Sequence, residues 1–102
     1  MKAIVITGFG AVDKLQLQDR PMPLMAADQV MIQVHAAGIN RPDIFQRLGK
    51  YPPPAGVVAD IPGLEIAGII TACGSGVTRW KPGDRVCALI AGGGYAEYVT
   101  AH

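Results

Sequence analysis

The sequence predicts a mainly β domain with short helices, arranged as a barrel or a sandwich. Three observations carry this. Short apolar or alternating stretches of strand length recur along the chain. Glycine and proline punctuate them, with 13 and 8 copies respectively. Only 6% of residues are aromatic, and only one stretch carries a full set of helix signals.

The elements follow in order. Lys2 to Thr7 reads as a buried strand. Lys14–Gln18 alternates with period two, which places Leu15 and Leu17 on one face. Pro21 and Pro23 interrupt any ladder there, because proline has no N–H to donate. Gln29 to Ala37 is the longest strand, with Val30, Ile32 and Val34 facing one way and Met31, Gln33 and His35 the other. Asn40 to Gly49 is the helix. Asn40 is a good N-cap, Pro42 falls in the first turn, Asp43 complements the positive end of the dipole, and Gly49 is a natural stop. Its apolar face is expected to be Ile44, Phe45 and Leu48. An irregular loop runs from Tyr51-Pro52-Pro53-Pro54 to about Pro62. Ile66 to Cys73, Arg85 to Ile90 and Tyr95 to Thr100 are the remaining strands, separated by Gly74-Ser75-Gly76, Trp80 to Asp84 and Gly92-Gly93-Gly94.

Composition narrows the function classes. A chain of 102 residues is one domain, residues 1–102, and its 50% hydrophobic content is far from that of a disordered segment. Nine basic residues against eight acidic ones give a net charge of +1, which is no footprint for nucleic acid or an anionic membrane. No stretch reaches the roughly 18 apolar residues of a membrane-spanning helix. The apolar start is broken by Gly8-Phe9-Gly10, too early for a signal peptide, and reads as a first strand. Two cysteines are too few for a disulfide framework, so reduced thiols in a cytoplasmic protein are expected.

Each candidate motif also has an ordinary structural explanation. Gly8-Phe9-Gly10 resembles the opening of a dinucleotide fingerprint, but Asp13 holds the third glycine position and a strand follows, so a turn is expected. Gly92-Gly93-Gly94 is expected to be a flexible loop; its other reading is a set of N–H groups for an anion. Cys73, Cys87, His35 and His102 lack metal-ligand spacing, and the cysteines read as buried small hydrophobes. His35 reads as a partly exposed strand residue, and His102 as a frayed terminus. Tyr51 either packs or, in a cleft, offers its phenol to a carbonyl oxygen. Glu65, alone in an apolar stretch, is expected to be ion-paired or turned outward.

Five segments together resemble the quinone oxidoreductase branch of the medium-chain dehydrogenase/reductase superfamily. They are Val34 to Asp43, Arg47 to Pro54, Pro62 to Gly68, Lys81 to Val86 and Gly92 to Val99. The resemblance implies a GroES-like, partly open β-barrel that serves as an N-terminal catalytic domain. It implies a Rossmann domain as a partner beyond His102, binding most of an NADP cofactor, with the active site between the two. It implies hydride transfer to a quinone-like small molecule. Asn40 and Leu64 stand where zinc-dependent relatives carry Cys and His, so no zinc is expected. Asn40 and Tyr51 match catalytic positions, and Asn40 and Asp43 match positions near the cofactor. Phe45, Arg47 and Tyr51 match substrate-binding positions, with Phe45 replacing a tyrosine of relatives. On this reading residues 1–102 alone are inactive, bind NADPH poorly and self-associate through exposed apolar side chains. The alternatives are a co-chaperonin-like ring subunit, which shares a turn like Lys81 to Val86, and a non-catalytic interaction domain.

Overall fold

The computed structural model describes all of residues 1–102. Strand β1 (Lys2–Ile6) and β2 (Leu15–Asp19) form an antiparallel pair, joined through a short 3-10 turn at Val12–Lys14. The other strands are β3 (Val30–Ala37), β4 (Glu65–Cys73), β5 (Arg85–Leu89) and β6 (Tyr98–Ala101). They make one antiparallel sheet in the order β5-β4-β3-β6. The single α-helix, α1 (Arg41–Arg47), lies between β3 and β4 in the chain.

The two sheets are stitched rather than merged. Ala3 bridges Ala96, Ile4 N–H donates to Tyr95 O at 2.8 Å, and Glu97 N–H donates to Lys2 O at 3.0 Å. Val34 N–H in turn reaches Glu97 O at 2.8 Å. The segment ahead of β6 therefore ties β1 on one side to β3 on the other, and the sheets curl into an incompletely closed barrel. Tyr95 to Glu97, expected as the start of the last strand, serve as this connector, and β6 proper begins at Tyr98.

Alternation along the strands builds the core. Val30 and Ile32 from β3, Ile66 and Ile70 from β4, and Val99 and Ala101 from β6 form its main cluster. Ala3, Val5 and Ile61 form a smaller one under the β1 seam. As expected, Val30, Ile32 and Val34 point inward while Gln33 and His35 are exposed. Burying an isoleucine side chain contributes about 1.5–3 kcal/mol, so these few residues dominate the apolar stabilisation. Leu17, on the face of Leu15, is 65% exposed.

The helix boundaries match the sequence signals. Asn40 is the N-cap, with extended backbone (φ −129°, ψ 155°). At the other end Gly49 takes φ +80°, which favours glycine. Gly49 N–H donates to Gln46 O at 3.0 Å and Lys50 N–H to Phe45 O at 2.7 Å, the paired bonds of a Schellman stop.

The helix face is a correction. Its buried residues are Asp43 and Gln46, whereas Ile44, Phe45 and Leu48 are each more than a third exposed. Polar groups can face inward once their hydrogen bonds are met. Gln46 Nε2 donates to Ala59 O at 3.4 Å, and Asp43 accepts from two donors described below. The apolar residues turn to the rim, where Arg41 stacks over Phe45 at 5.4 Å.

Three more expectations are corrected. Gly92, Gly93 and Gly94 form a loop as expected, but a buried one whose Gly93 and Gly94 N–H groups donate to Ile61 O and Gly63 O rather than standing free for an anion. Cys87 is exposed and Cys73 half-buried, so only Cys73 packs on the core. Glu65 makes no ion pair and is half-buried; an amide donor meets it instead.

Candidate active-site cleft

The α1 N-terminus organises the polar groups of the site. Its first turn leaves backbone N–H groups without helical partners. Asp43 Oδ2 reaches back to accept the Asn40 backbone N–H at 2.9 Å. The same oxygen accepts the Tyr95 hydroxyl, in a short hydrogen bond. Asp43 is buried, and its other oxygen, Oδ1, has no partner. No lysine or arginine nitrogen lies within ion-pairing distance of it.

Tyr95 comes from the connector ahead of β6. Its backbone N–H donates to Pro62 O at 2.9 Å and its carbonyl accepts from Ile4, so its phenol is anchored from both ends. Burial, then the Asp43 bond and charge, push the Tyr95 pKa well above that of an ordinary phenol. Tyr95 therefore stays protonated and donating.

Asp43 and Tyr95 line a cavity of about 520 Å³. Ile4, Val34 and Ile44 supply apolar wall, and Arg47 stands in the same wall. Arg47 Nε donates to Gly10 O at 2.9 Å, and Gly10 N–H donates to Arg47 O at 3.0 Å. This pair of bonds pins the Gly8–Gly10 turn against α1. That turn leads into the 3-10 segment and β2, as expected of a turn between strands. A concave, mostly apolar hollow with a few fixed polar groups is the usual form of a small-molecule site.

The predicted site residues divide. Asp43 and Arg47 line this cavity. Asn40 sits one turn from Asp43 but directs its side-chain amide away, donating Nδ2 to Glu65 Oε1 at 3.3 Å. Glu65 lines a second, adjoining hollow of about 490 Å³ with Gly38, Cys87 and Leu89. Gly38 leaves room for this side chain, since a Cβ on it would lie 1.9 Å from Glu65 Oε1 and push the carboxylate aside. Phe45 and Tyr51 are exposed and line neither hollow. Tyr95 is not among the residues the sequence points to; its one local signal is its place after three glycines. His35 also lines the larger cavity, while Cys73, Cys87 and His102 do not, and nowhere do three His, Cys, Asp or Glu side chains converge.

An open β-barrel with an apolar, acid-and-phenol-lined hollow beside one capped helix has the form of a small-molecule-binding domain. The family model of the alcohol dehydrogenase GroES-like domain matches residues 26–102, and the chain belongs to that family. Over 99% of its length it is 43% identical to the quinone oxidoreductase of Rattus norvegicus, and it covers 31% of that protein. Over 98% of its length it is 42% identical to the synaptic vesicle membrane protein VAT-1 homolog of the same species, covering 25% of it. A mycobacterial protein solved in complex with NADPH superposes with a TM-score of 0.85 at 34% identity, over 99% of this chain and 31% of that one. The chain thus spans a quarter to a third of the length of these relatives. The GroES-like fold expected from the resemblance is the fold observed. No helix is long and apolar enough to cross a membrane.

Proposed function

We propose that residues 1–102 act as the substrate-side catalytic domain of a zinc-independent, NADPH-dependent quinone oxidoreductase. The observation that carries this is the cleft itself: an apolar hollow of about 520 Å³, with fixed polar groups, on a fold shared with quinone oxidoreductases. Its volume is ample for a quinone and a nicotinamide ring side by side.

The residues fit the ring end of the cofactor and not its diphosphate end. The buried Asp43 carboxylate and the Tyr95 phenol give the hollow directional hydrogen-bonding groups. The glycine-rich stretches are otherwise engaged, with Gly10, Gly93 and Gly94 N–H groups bound to backbone carbonyls. The diphosphate then belongs to a separate nucleotide-binding domain, as the resemblance implies. When bound, the nicotinamide supplies the hydride. Asn40 and Asp43 border its ring, Phe45 and Arg47 shape the substrate's side of the cleft, and Tyr51 donates its phenol proton to a hydrogen bond on the substrate oxygen as negative charge develops there.

Donor chemistry supports zinc independence. Asn40 offers an amide already bound to Glu65, and the Leu64 side chain has no coordinating atom. A quinone tolerates this, since its ring is electrophilic and becomes aromatic on reduction, so orientation and a hydrogen bond can suffice. The Tyr51→Phe substitution tests the assignment. In the intact enzyme it should lower quinone turnover and leave NADPH affinity unchanged. Unaltered turnover removes Tyr51 from the reaction.

A further inference from the structure

We infer that the turn between β4 and β5 is a docking tip for an anionic lipid membrane, with Trp80 entering the interface and Arg79, Lys81 and Arg85 meeting the headgroups. The tip lies at the start of β3, where Val30 pairs with Cys73, whereas the cleft is lined by Val34 to Ala37 at the strand's other end. It takes nothing from the functional reading of the cleft.

The net charge of +1 averages an uneven distribution. Three of the nine basic residues fall between positions 79 and 85, against one acid, Asp84. Lys2 and Arg20, elsewhere, are paired with Asp19 and Asp60. None of Arg79, Lys81 and Arg85 has a carboxylate within 4.0 Å. Asp84 turns to the backbone instead, its Oδ2 accepting Lys81 N–H at 3.0 Å. The acid at the start of β3, Asp28, faces His102 at 3.5 Å. Three cations without counter-charge on one turn are complementary to an anionic surface.

The turn is both exposed and held. Residues 78–83 are all exposed. Gly83 N–H donates to Ile70 O at 2.8 Å, and the Cys73 thiol donates to Trp80 O at 3.5 Å. Trp80 is thereby presented at a fixed place, 42% exposed, with the Arg79 guanidinium 5.7 Å from its ring centre. Gly74 N–H donates to Gln29 O at 2.7 Å and Gly76 N–H to Ala27 O at 2.9 Å, which brings the loop ahead of β3 alongside. Leu24, on that loop, is 94% exposed.

These side chains select a bilayer over a nucleic acid. An indole suits the boundary between headgroups and acyl chains, and basic side chains around it reach the phosphates. A bare leucine gains from acyl chains and nothing from a phosphodiester backbone. Each cation near an anionic surface strengthens binding roughly fivefold, so the association is peripheral and reversible.

Trp80 is the only tryptophan, so its fluorescence reports the contact directly. The protein is titrated with mixed phosphatidylserine–phosphatidylcholine vesicles and with pure phosphatidylcholine vesicles, and binding is read by co-sedimentation and by Trp80 emission. The anionic vesicles should bind at least about tenfold tighter. Trp80 emission should shift to the blue, and binding should weaken as salt is raised. The double substitution Arg79→Gln, Lys81→Gln changes two exposed side chains and should weaken binding at least about tenfold. Equal binding to both kinds of vesicle, no binding, binding without the blue shift, or undiminished binding by the double variant overturns the inference. Polyuridylate held more tightly than the anionic vesicles, and equally weakened by the double substitution, reassigns the tip to nucleic acid and overturns it as well.

Discussion

Tyr95 crosses 52 positions of sequence to place its hydroxyl on the Asp43 carboxylate. The contact joins the connector ahead of β6 to the first turn of α1, and so fixes the helix against the barrel at the edge of the cleft. Without it, Asp43 would keep one donor for two buried oxygens.

Tyr95→Phe should therefore destabilise the protein by about 1–3 kcal/mol, the cost of a buried acceptor losing its donor. Urea unfolding followed by circular dichroism measures it. A change below a few tenths of a kcal/mol would show that the phenol contributes through its ring alone.

The same residue gives an alkaline signature. The Tyr95 pKa in the folded state is raised above the ordinary 10.0. Below that value both states hold the proton and the contribution is complete. Above it the unfolded chain releases the proton first, so stability falls as the pH rises. The thermal midpoint should drop as the pH rises above about 10, and drop less in Tyr95→Phe. Equal losses in the two proteins would assign the alkaline transition to other groups.

Gly63→Ala tests the support beneath Tyr95. Gly63 has φ +109°, and a Cβ there would lie 2.7 Å from Tyr95 N and 2.8 Å from Gly94 Cα. Both neighbours are backbone, so neither can swing away. The expected loss exceeds about 2 kcal/mol, read as a lower urea midpoint. Wild-type stability would mean that this loop repacks freely.

Gly38→Ala acts on the second hollow instead. The new methyl would displace Glu65 and break the Asn40 Nδ2 bond. The Asn40 side-chain amide resonances should move while those of Tyr95 stay in place. Coincident movement of both would show the two hollows to be one coupled unit.

Ile32→Ala removes a side chain that is 1% exposed at the centre of the sheet. The expected cost is about 2–5 kcal/mol, by the same unfolding measurement. A much smaller loss would mean that Val30, Ile66 and Val99 close over the gap.

Local signals were legible and long-range ones were not. The ends of α1 could be read from Asn40, Pro42 and Gly49 because caps act within a few residues. The inward face of β3 could be read because alternation has a fixed period. The buried face of α1 could not, since apolar spacing pointed to Ile44, Phe45 and Leu48. The partners that let Asp43 and Gln46 turn inward are Tyr95 and the Ala59 carbonyl, both distant in sequence. The burial of the 92–94 loop could not be read, because the acceptors of the Gly93 and Gly94 N–H groups, Ile61 and Gly63, lie some thirty residues earlier. The site divided the same way. Asp43 and Arg47 are legible from the sequence and line the cleft, whereas Tyr95 emerges only from the fold.

Strand β3 is flanked on both sides, by β4 and by β6. Its amide protons from Val30 to Val34 are locked from two directions, while β1 and β2 rest on a single mutual ladder and a few stitches. Deuterium should consequently enter the hairpin first and this middle strand last. Opening would proceed from the chain's beginning inward, so that the wall carrying Ile4 loosens before the wall carrying Val34.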